Sequence, residues 1–253
     1  MTSVAVSGAA GRMGRLVAET VADTDGLDLA ACFDPGAPGD TVAGLLVSDD
    51  PGAVADADVV VEFTRPDVVM GNLTEWRQRG LHAVVGTSGF DDSRLAEVRA
   101  LWGSGPPNCI IVPNFSIGAV MMMRLSELAA PHFQAAEVIE LHHDKKADAP
   151  SGTSLNTAAR IAAVQQQRRA VESRELTPGA RGANVDDVRV HSVRLPGYVA
   201  HQEVIFGGVG ETLTIRHDTT DRHSFMPGVV LAIRQVAILD EPVVVGLDAL
   251  LGI

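Results

Sequence analysis

The sequence predicts an α/β fold, a Rossmann-type doubly wound parallel sheet with an α+β domain inserted into it and a C-terminal helix that rejoins it. Three observations predict this. Short apolar runs alternate with amphipathic stretches over residues 1–113, a glycine-rich turn lies directly after the first run, and beyond Asn114 the pattern shifts to near period-2 alternation. Strands alternating with helices build βαβ units and a parallel sheet, whereas alternation every second residue marks strands with one buried face.

The runs Val4–Ser7, Leu27–Phe33, Asp58–Phe63, Leu81–Gly86 and Cys109–Pro113 read as strands, several of them apolar on both faces as buried parallel strands are. Between them Met13–Ala22, Pro66–Arg79 and Ser93–Trp102 have helical spacing, while Pro35–Gly39 and the acidic Ser48–Asp58 read as loops. After Asn114 come a helix at Ile117–Ala130 ended by Pro131, a strand at Ala136–His142 and an Ala-rich helix at Thr153–Val164. Gln165–Asp187 is a polar excursion. Val188–Leu195, His201–Phe206 and Glu211–His217 are strands, the last two joined through Gly207–Gly210 as a hairpin. Ser224–Leu239 is helical, and Val243–Gly246 returns to the first sheet. The division expected is 1–113 plus 226–253 for a dinucleotide-binding domain and 114–225 for the insertion.

Composition narrows the function. The 253 residues carry 32 Asp+Glu against 20 Lys+Arg, a net charge of −12, with 46% hydrophobic and 21% charged residues. Such a chain is globular, and no basic patch interrupts its acidity, so nucleic acid and anionic membrane are excluded as partners. No apolar run approaches the roughly 18 residues that a membrane span needs, and no basic leader precedes the first apolar stretch. A cytoplasmic protein is expected. Cys32 and Cys109 stand alone, so neither a disulfide framework nor a cysteine metal site is expected. Of the 20 basic residues only Lys145 and Lys146 are lysines, and they are adjacent. A GC-rich codon bias explains the arginines but not that adjacency; lysine, unlike arginine, gives up a proton at useful pH.

Gly8-Ala9-Ala10-Gly11-Arg12-Met13-Gly14 stands between a strand and a helix, a Gly-x-x-Gly-x-x-Gly form of the dinucleotide fingerprint. Glycine lets the backbone approach a pyrophosphate whose charge rests on the helix N-terminus. The acid that belongs about 20 residues on is Asp34, at the end of the second strand, where it accepts from a ribose diol. Pro35 follows, and no further basic residue comes before Arg65. That favours NADH over NADPH, with Arg12 as partial compensation for a 2′-phosphate. Gly86-Thr87-Ser88 and Val112-Pro113-Asn114-Phe115 end two further strands, where open parallel sheets bind ligands.

The densest chemistry is Glu140-Leu141-His142-His143-Asp144-Lys145-Lys146-Ala147-Asp148-Ala149-Pro150-Ser151-Gly152-Thr153. It offers a proton donor, an ammonium and, at Gly152-Thr153, the free N–H groups of a helix start that receives anions. The bland reading is a solvated loop before a capped helix. His142, His143 and Asp148 are conceivable metal ligands, but adjacent residues on a strand point to opposite faces, so no metal is expected. His82, His132, His191, His201, His217 and His223 are scattered and read as core or surface residues. Met121-Met122-Met123 reads as helix packing.

These motifs, with EFTRPD at Glu62–Asp67, GTSGF at Gly86–Phe90, PNFSIG at Pro113–Gly118, GETLTIRHD at Gly210–Asp218 and FMPGVVLAIR at Phe225–Arg234, resemble the 4-hydroxy-tetrahydrodipicolinate reductase (dihydrodipicolinate reductase) family. The His-His-x-x-Lys-x-Asp-Ala-Pro-Ser-Gly-Thr string is its most specific mark. The resemblance implies reduction of 4-hydroxy-tetrahydrodipicolinate to tetrahydrodipicolinate with NADH or NADPH and loss of water, in the diaminopimelate route to lysine. It implies that His142 is the proton donor/acceptor and Lys146 a second proton donor. His143, Gly152 and Thr153 would bind the dicarboxylate substrate, and Gly8–Met13, Asp34, Gly86–Ser88 and Val112–Phe115 the cofactor. The insertion becomes a substrate-binding and oligomerisation domain, the assembly a homotetramer built through its sheets. Two departures stand out: Lys145 where members often carry His, and Glu62 where Asp is commoner. Another NAD-dependent amino-acid-pathway dehydrogenase would share the glycine turn but not the His-His-x-x-Lys string. A nucleotide-sensing protein without turnover would need Asp34 but not lysines beside a His pair.

Overall fold

A computed structural model describes residues 1–166, 169, 171 and 173–253. Part of the 165–187 excursion therefore lies outside the described residues. The chain divides into two compact units, Met1–Ser116 with Phe225–Ile253, and Ile117–Ser224.

The first unit is a doubly wound sheet. Its elements are β1 (Thr2–Ser7), α1 (Arg12–Ala22), β2 (Leu27–Phe33), β3 (Thr41–Val42), β4 (Leu45–Ser48), β5 (Val59–Glu62), α2 (Val69–Gln78), β6 (His82–Val85), α3 (Asp92–Trp102) and β7 (Cys109–Ile111). The later segment adds α6 (Met226–Gln235), β13 (Val243–Val245) and α7 (Asp248–Leu251). Strand order is β13-β7-β6-β5-β1-β2-β4-β3, all parallel except β3. The chain runs outward to β2 on one side of β1 and then crosses to β5 on the other, so the strand order reverses at β1, where such sheets bind nucleotides. Val4, Val6, Val59, Val60, Val61, Val84 and Val85 are buried on both sheet faces, which is why these runs do not alternate. Helix α1 buries Gly14, Val17, Ala18 and Val21 along one face. Trp76 and Trp102, from α2 and α3, are fully buried, and Trp76 meets Phe33 edge-on at 5.6 Å. Asn108 fixes the later segment by donating from Nδ2 to the Val236 carbonyl at 3.0 Å. Its own N–H donates to His82 Nδ1 at 2.9 Å, so His82 is a neutral acceptor, its pKa lowered by burial against the pull of Asp58.

The second unit holds α4 (Ile117–Ala129), β8 (Ala135–His142), α5 (Gly152–Val164), β9 (Ala183–Val185), β10 (Val188–Arg194), β11 (Ala200–Gly208) and β12 (Glu211–Thr219). Its mixed sheet has the order β12-β11-β8-β10-β9, with β8 and β10 parallel. Helix α5 covers the face bearing Ala136, Val138, Val188, Val190, Val204 and Phe206, and closes a core with Ala158 and Ile161.

Three details differ from the sequence reading. A hairpin, β3–β4, extends the first sheet, with Ser48 closing β4 and a 3-10 turn at Pro51–Val54 inside the expected loop. A strand, β9, ends the polar excursion and pairs antiparallel with β10. Both turns are of the kind that needs two successive positive φ values, at Ala43 (47°) with Gly44 (84°) and at Asp186 (48°) with Asp187 (68°). Ala-Gly and Asp-Asp are weak turn signals, and strands of two to four residues carry no readable period. Helix α2 starts at Val69, not Pro66, after a turn in which the Val68 N–H donates to the Arg65 carbonyl. Among the described residues no helix is long and apolar enough to cross a membrane.

Candidate active site

In the first unit the candidate cofactor residues collect at the carboxyl ends of β1, β2, β6 and β7. Gly8 has φ +79°, and a Cβ there would collide with the Phe63 carbonyl, lying 2.8 Å from its carbon. A Cβ at Gly14 would meet the Gly8 carbonyl, with Ala9 Cα 2.8 Å away. Glycine at 8 makes the turn; glycine at 14 lets α1 lie against it. Gly11 caps α1 with no side chain to accept its first-turn N–H groups, so the positive end of the helix is open to an anion. Arg12 is exposed and Met13 half-buried at that end. Asp34 is bound to the same loop: Oδ2 accepts from the Ala10 N–H at 3.1 Å and Oδ1 from the Gly36 N–H at 3.0 Å. Arg15 is engaged elsewhere, on Asp40 at 2.9 Å and the Ala10 carbonyl at 3.0 Å.

Beside this loop, a Cβ on Gly86 would fall into the Phe63 ring, 2.8 Å from Cδ1, and that ring lies 5.5 Å from Phe115. Buried Thr87 accepts from the Thr64 N–H at 2.9 Å, while Ser88 is exposed. Val112 is buried, Pro113 exposed, and Asn114 accepts from the Ser116 N–H at 2.9 Å. Glu62 is fully buried and accepts from Trp76 Nε1 at 2.8 Å, Asn72 Nδ2 at 3.0 Å and the Thr64 hydroxyl. This carboxylate, noted in the sequence only as a variant, holds the Phe63–Thr64 loop. The available signal was an acid ending an apolar run, with Asn72 and Trp76 one turn apart on the next helix.

In the second unit His142 ends β8 and His143 follows it, opening a turn in which the Lys146 N–H donates to the His143 carbonyl at 3.2 Å. Lys146 Nζ pairs with exposed Asp148 at 2.8 Å, and this contact holds the Asp148 carboxyl below the usual range. Ser151 caps α5 by accepting from the Ser154 N–H at 3.2 Å, and Gly152 and Thr153 open the helix, with nothing within 4 Å of where a Gly152 Cβ would stand.

Behind these residues lies a group the sequence reading did not single out. Glu140, on the inner face of β8, is fully buried. It accepts from His142 Nδ1, from both Arg194 terminal nitrogens at 2.8 Å, and from the Ser151 N–H at 3.3 Å. Burial raises its pKa, but hydrogen bonds from His142, Arg194 and Ser192 outweigh that and lower it to about 2, so the carboxylate stays charged at any working pH. The readable signal was a charged residue on the buried face of an alternating strand. Among the described residues no group of three or more His, Cys, Asp or Glu is gathered to hold a metal ion.

A parallel sheet with a glycine turn opening onto a helix N-terminus, and a carboxylate-backed imidazole four residues before a lysine in a second unit, define an NAD(P)H-dependent oxidoreductase of the Rossmann type. Residues 2–115 match the family model "Dihydrodipicolinate reductase, N-terminus", and residues 118–251 match "Dihydrodipicolinate reductase, C-terminus". The chain is 52% identical to a 4-hydroxy-tetrahydrodipicolinate reductase of Thermobifida fusca, covering 100% of both chains. It is 49% identical to one of Nocardia farcinica, covering 99% of this chain and 98% of that one. A dipicolinate-bound dihydrodipicolinate reductase from Paenisporosarcina sp. TG-14 superposes with a TM-score of 0.86 at 38% identity, covering 98% of this chain and 99% of that one. The chain belongs to the dihydrodipicolinate reductase family.

Proposed function

We propose that this enzyme reduces 4-hydroxy-tetrahydrodipicolinate to tetrahydrodipicolinate, with a reduced nicotinamide dinucleotide as donor and loss of water, in the diaminopimelate route to lysine. The observation that carries the reading is the segment Glu140–Thr153, whose imidazole, ammonium and helix N-terminus Arg194 joins into one hydrogen-bonded array. A dicarboxylate that must also gain a proton calls for those three groups.

The first unit's residues fit the dinucleotide: Gly8 and Gly86 leave room where any Cβ would collide with Phe63, and Gly11 leaves helix N–H groups uncapped. Gly8, Ala9, Ala10, Gly11, Arg12 and Met13 would hold the pyrophosphate, Asp34 the adenosine ribose, and Gly86–Ser88 with Val112–Phe115 the nicotinamide half. When bound, that group supplies a hydride. His143, Gly152 and Thr153 meet the substrate carboxylates, the last two at a helix start whose N–H groups receive anions and so offset the repulsion of a −12 chain. His142 delivers the proton from Nε2 of its imidazolium and is left neutral with hydrogen on Nδ1, because Nδ1 faces a carboxylate that can only accept. Lys146 is the second donor, exchanging Asp148 for substrate. A cytoplasmic location is proposed with this reading, the described residues holding no helix long and apolar enough to cross a membrane.

NADH is the preferred donor. Asp34 is aligned by two N–H groups yet keeps lone pairs for a ribose diol, and a 2′-phosphate would meet its charge while Arg15 is committed to Asp40. The test is an absorbance assay of reduced-nicotinamide loss, started with the product of the preceding aldolase-type step and run with both donors. Consumption that depends on that product is expected, faster with NADH. In Asp34→Ala, kcat/KM for NADH falls about ten-fold or more, the value of losing hydrogen bonds to a charged acceptor, and that for NADPH falls less. No consumption with either donor sinks the reading, and equal losses sink the diol contact.

The assembly is proposed to be a homotetramer built on the second unit's sheet. The sheet face opposite α5 bears half-buried Ile139, Leu141, Val193 and Ile205 beside ion-paired Glu203 and Arg216. Light scattering should give a mass about four times the 26.6 kDa chain; a mass of one chain refutes it.

A further inference from the structure

We infer that Glu140, clamped by Arg194, is the positioning residue that sets the tautomer and aim of His142 and ties that imidazole to the Lys146 loop and the opening of α5. The inference rests on the reading of His142 as proton donor.

Both carboxylate oxygens are committed. Oε2 receives His142 Nδ1 and an Arg194 nitrogen at 2.8 Å; Oε1 receives the other Arg194 nitrogen at 2.8 Å and the Ser151 N–H at 3.3 Å. An ionised carboxylate has no proton to give, so the bond to His142 requires hydrogen on Nδ1. Nε2 of the neutral ring is then the open nitrogen, which takes up a proton to form the imidazolium and delivers it from there, leaving hydrogen on Nδ1. A second-layer acceptor that fixes ring orientation and tautomer is a recurring device around working imidazoles.

Arg194 extends the hold. Its Nη2 also donates to the Asp148 carbonyl at 2.6 Å, and Asp148 in turn grips Lys146 Nζ at 2.8 Å. The Leu195 N–H donates to the His142 carbonyl at 3.1 Å. Imidazole, ammonium and helix start are therefore spaced by one guanidinium–carboxylate pair. Stability alone does not explain that pair, since well-packed apolar residues do as well or better in such places. Farther along the same inner face stand Ala136, Val138, Val190, Val204 and Phe206, while buried Gln202 is registered beside Glu140 and donates to Thr157 at 2.7 Å.

Nitrogen-detected NMR of the parent enzyme reads the tautomer directly. Hydrogen on Nδ1 of neutral His142 is expected; hydrogen on Nε2 overturns the inference, whatever the variants do. Glu140→Gln should lose that tautomer preference and lower kcat on the order of 100-fold, as loss of one aligned general acid does, with KM for NADH within about two-fold. A folded Glu140→Gln with kcat within about three-fold of the parent overturns it. If that variant does not fold, Glu140→Gln with Arg194→Met removes the stranded charge, and its kcat is read against the same thresholds. His142→Gln with normal turnover would sink the proton-donor reading instead, while the tautomer seen in the parent spectrum still decides the role of Glu140.

Discussion

His142→Gln should lower kcat by on the order of 1,000-fold, within the range an aligned general acid contributes, while the affinity for NADH stays within about two-fold of the parent. The residue sits at the end of β8 in the second unit, whereas the glycine turn and Asp34 belong to the first. A change there removes the proton without touching the phosphate loop. Glutamine keeps an amide for Glu140 to bind, so the Glu140–Arg194 clamp survives and the loss is chemical. Lys146→Ala should cost on the order of 100-fold, less because Lys146 is held at the surface by exposed Asp148 rather than by a buried group. Joined in one chain, the two changes should cost little more than His142→Gln, because groups that act as a unit are not additive. Steady-state kinetics with a fluorescence titration of NADH measures both halves. Near-parental turnover in both variants would remove the catalytic assignment, and a matching collapse of NADH affinity would reassign the residues to folding.

Gly14→Val carries the second large effect, on cofactor binding and stability. The added Cβ is directed at backbone, the Gly8 carbonyl with Gly8 C at 2.7 Å and Ala9 Cα at 2.8 Å. No side chain can rotate away, so α1 must move off β1 and the phosphate loop with it. The cost expected is about 3 kcal/mol, the upper end for overpacking, and NADH affinity falls at least 100-fold as the loop loses its aim. Gly71→Ala is the control. That position lies within α2 with nothing within 4 Å of a new Cβ, so alanine should raise stability by about 1 kcal/mol through helix propensity. Thermal unfolding and NADH titration of both variants decide it. A Gly14→Val protein that binds NADH as the parent does would show that helix–turn contact to be dispensable.

Much of the first unit was legible because its information is local. The glycine spacing, the doubly apolar runs and the acid at position 34 each state a backbone requirement within a few residues. Asp34 was legible as the end of the second strand, but its two N–H partners, Ala10 and Gly36, belong to the folded turn. The β3–β4 hairpin and β9 leave no local signal, since they are short and turn on Ala-Gly and Asp-Asp. Glu62 was visible as a departure, yet its role depends on Asn72, Trp76 and Thr64 converging from a helix and a loop.

By itself the sequence determined which residues can carry protons and charge, and that a glycine turn joins the first strand to the first helix. Tertiary structure decided which of them act together. Arg194 lies 54 residues beyond Glu140, and nothing in their spacing pairs them. They meet because β8 and β10 run parallel, with Arg194 registered beside His142 and Ser192 beside Glu140. Sheet register is set by burying one face of every strand at once, a condition on the whole core that no single segment expresses.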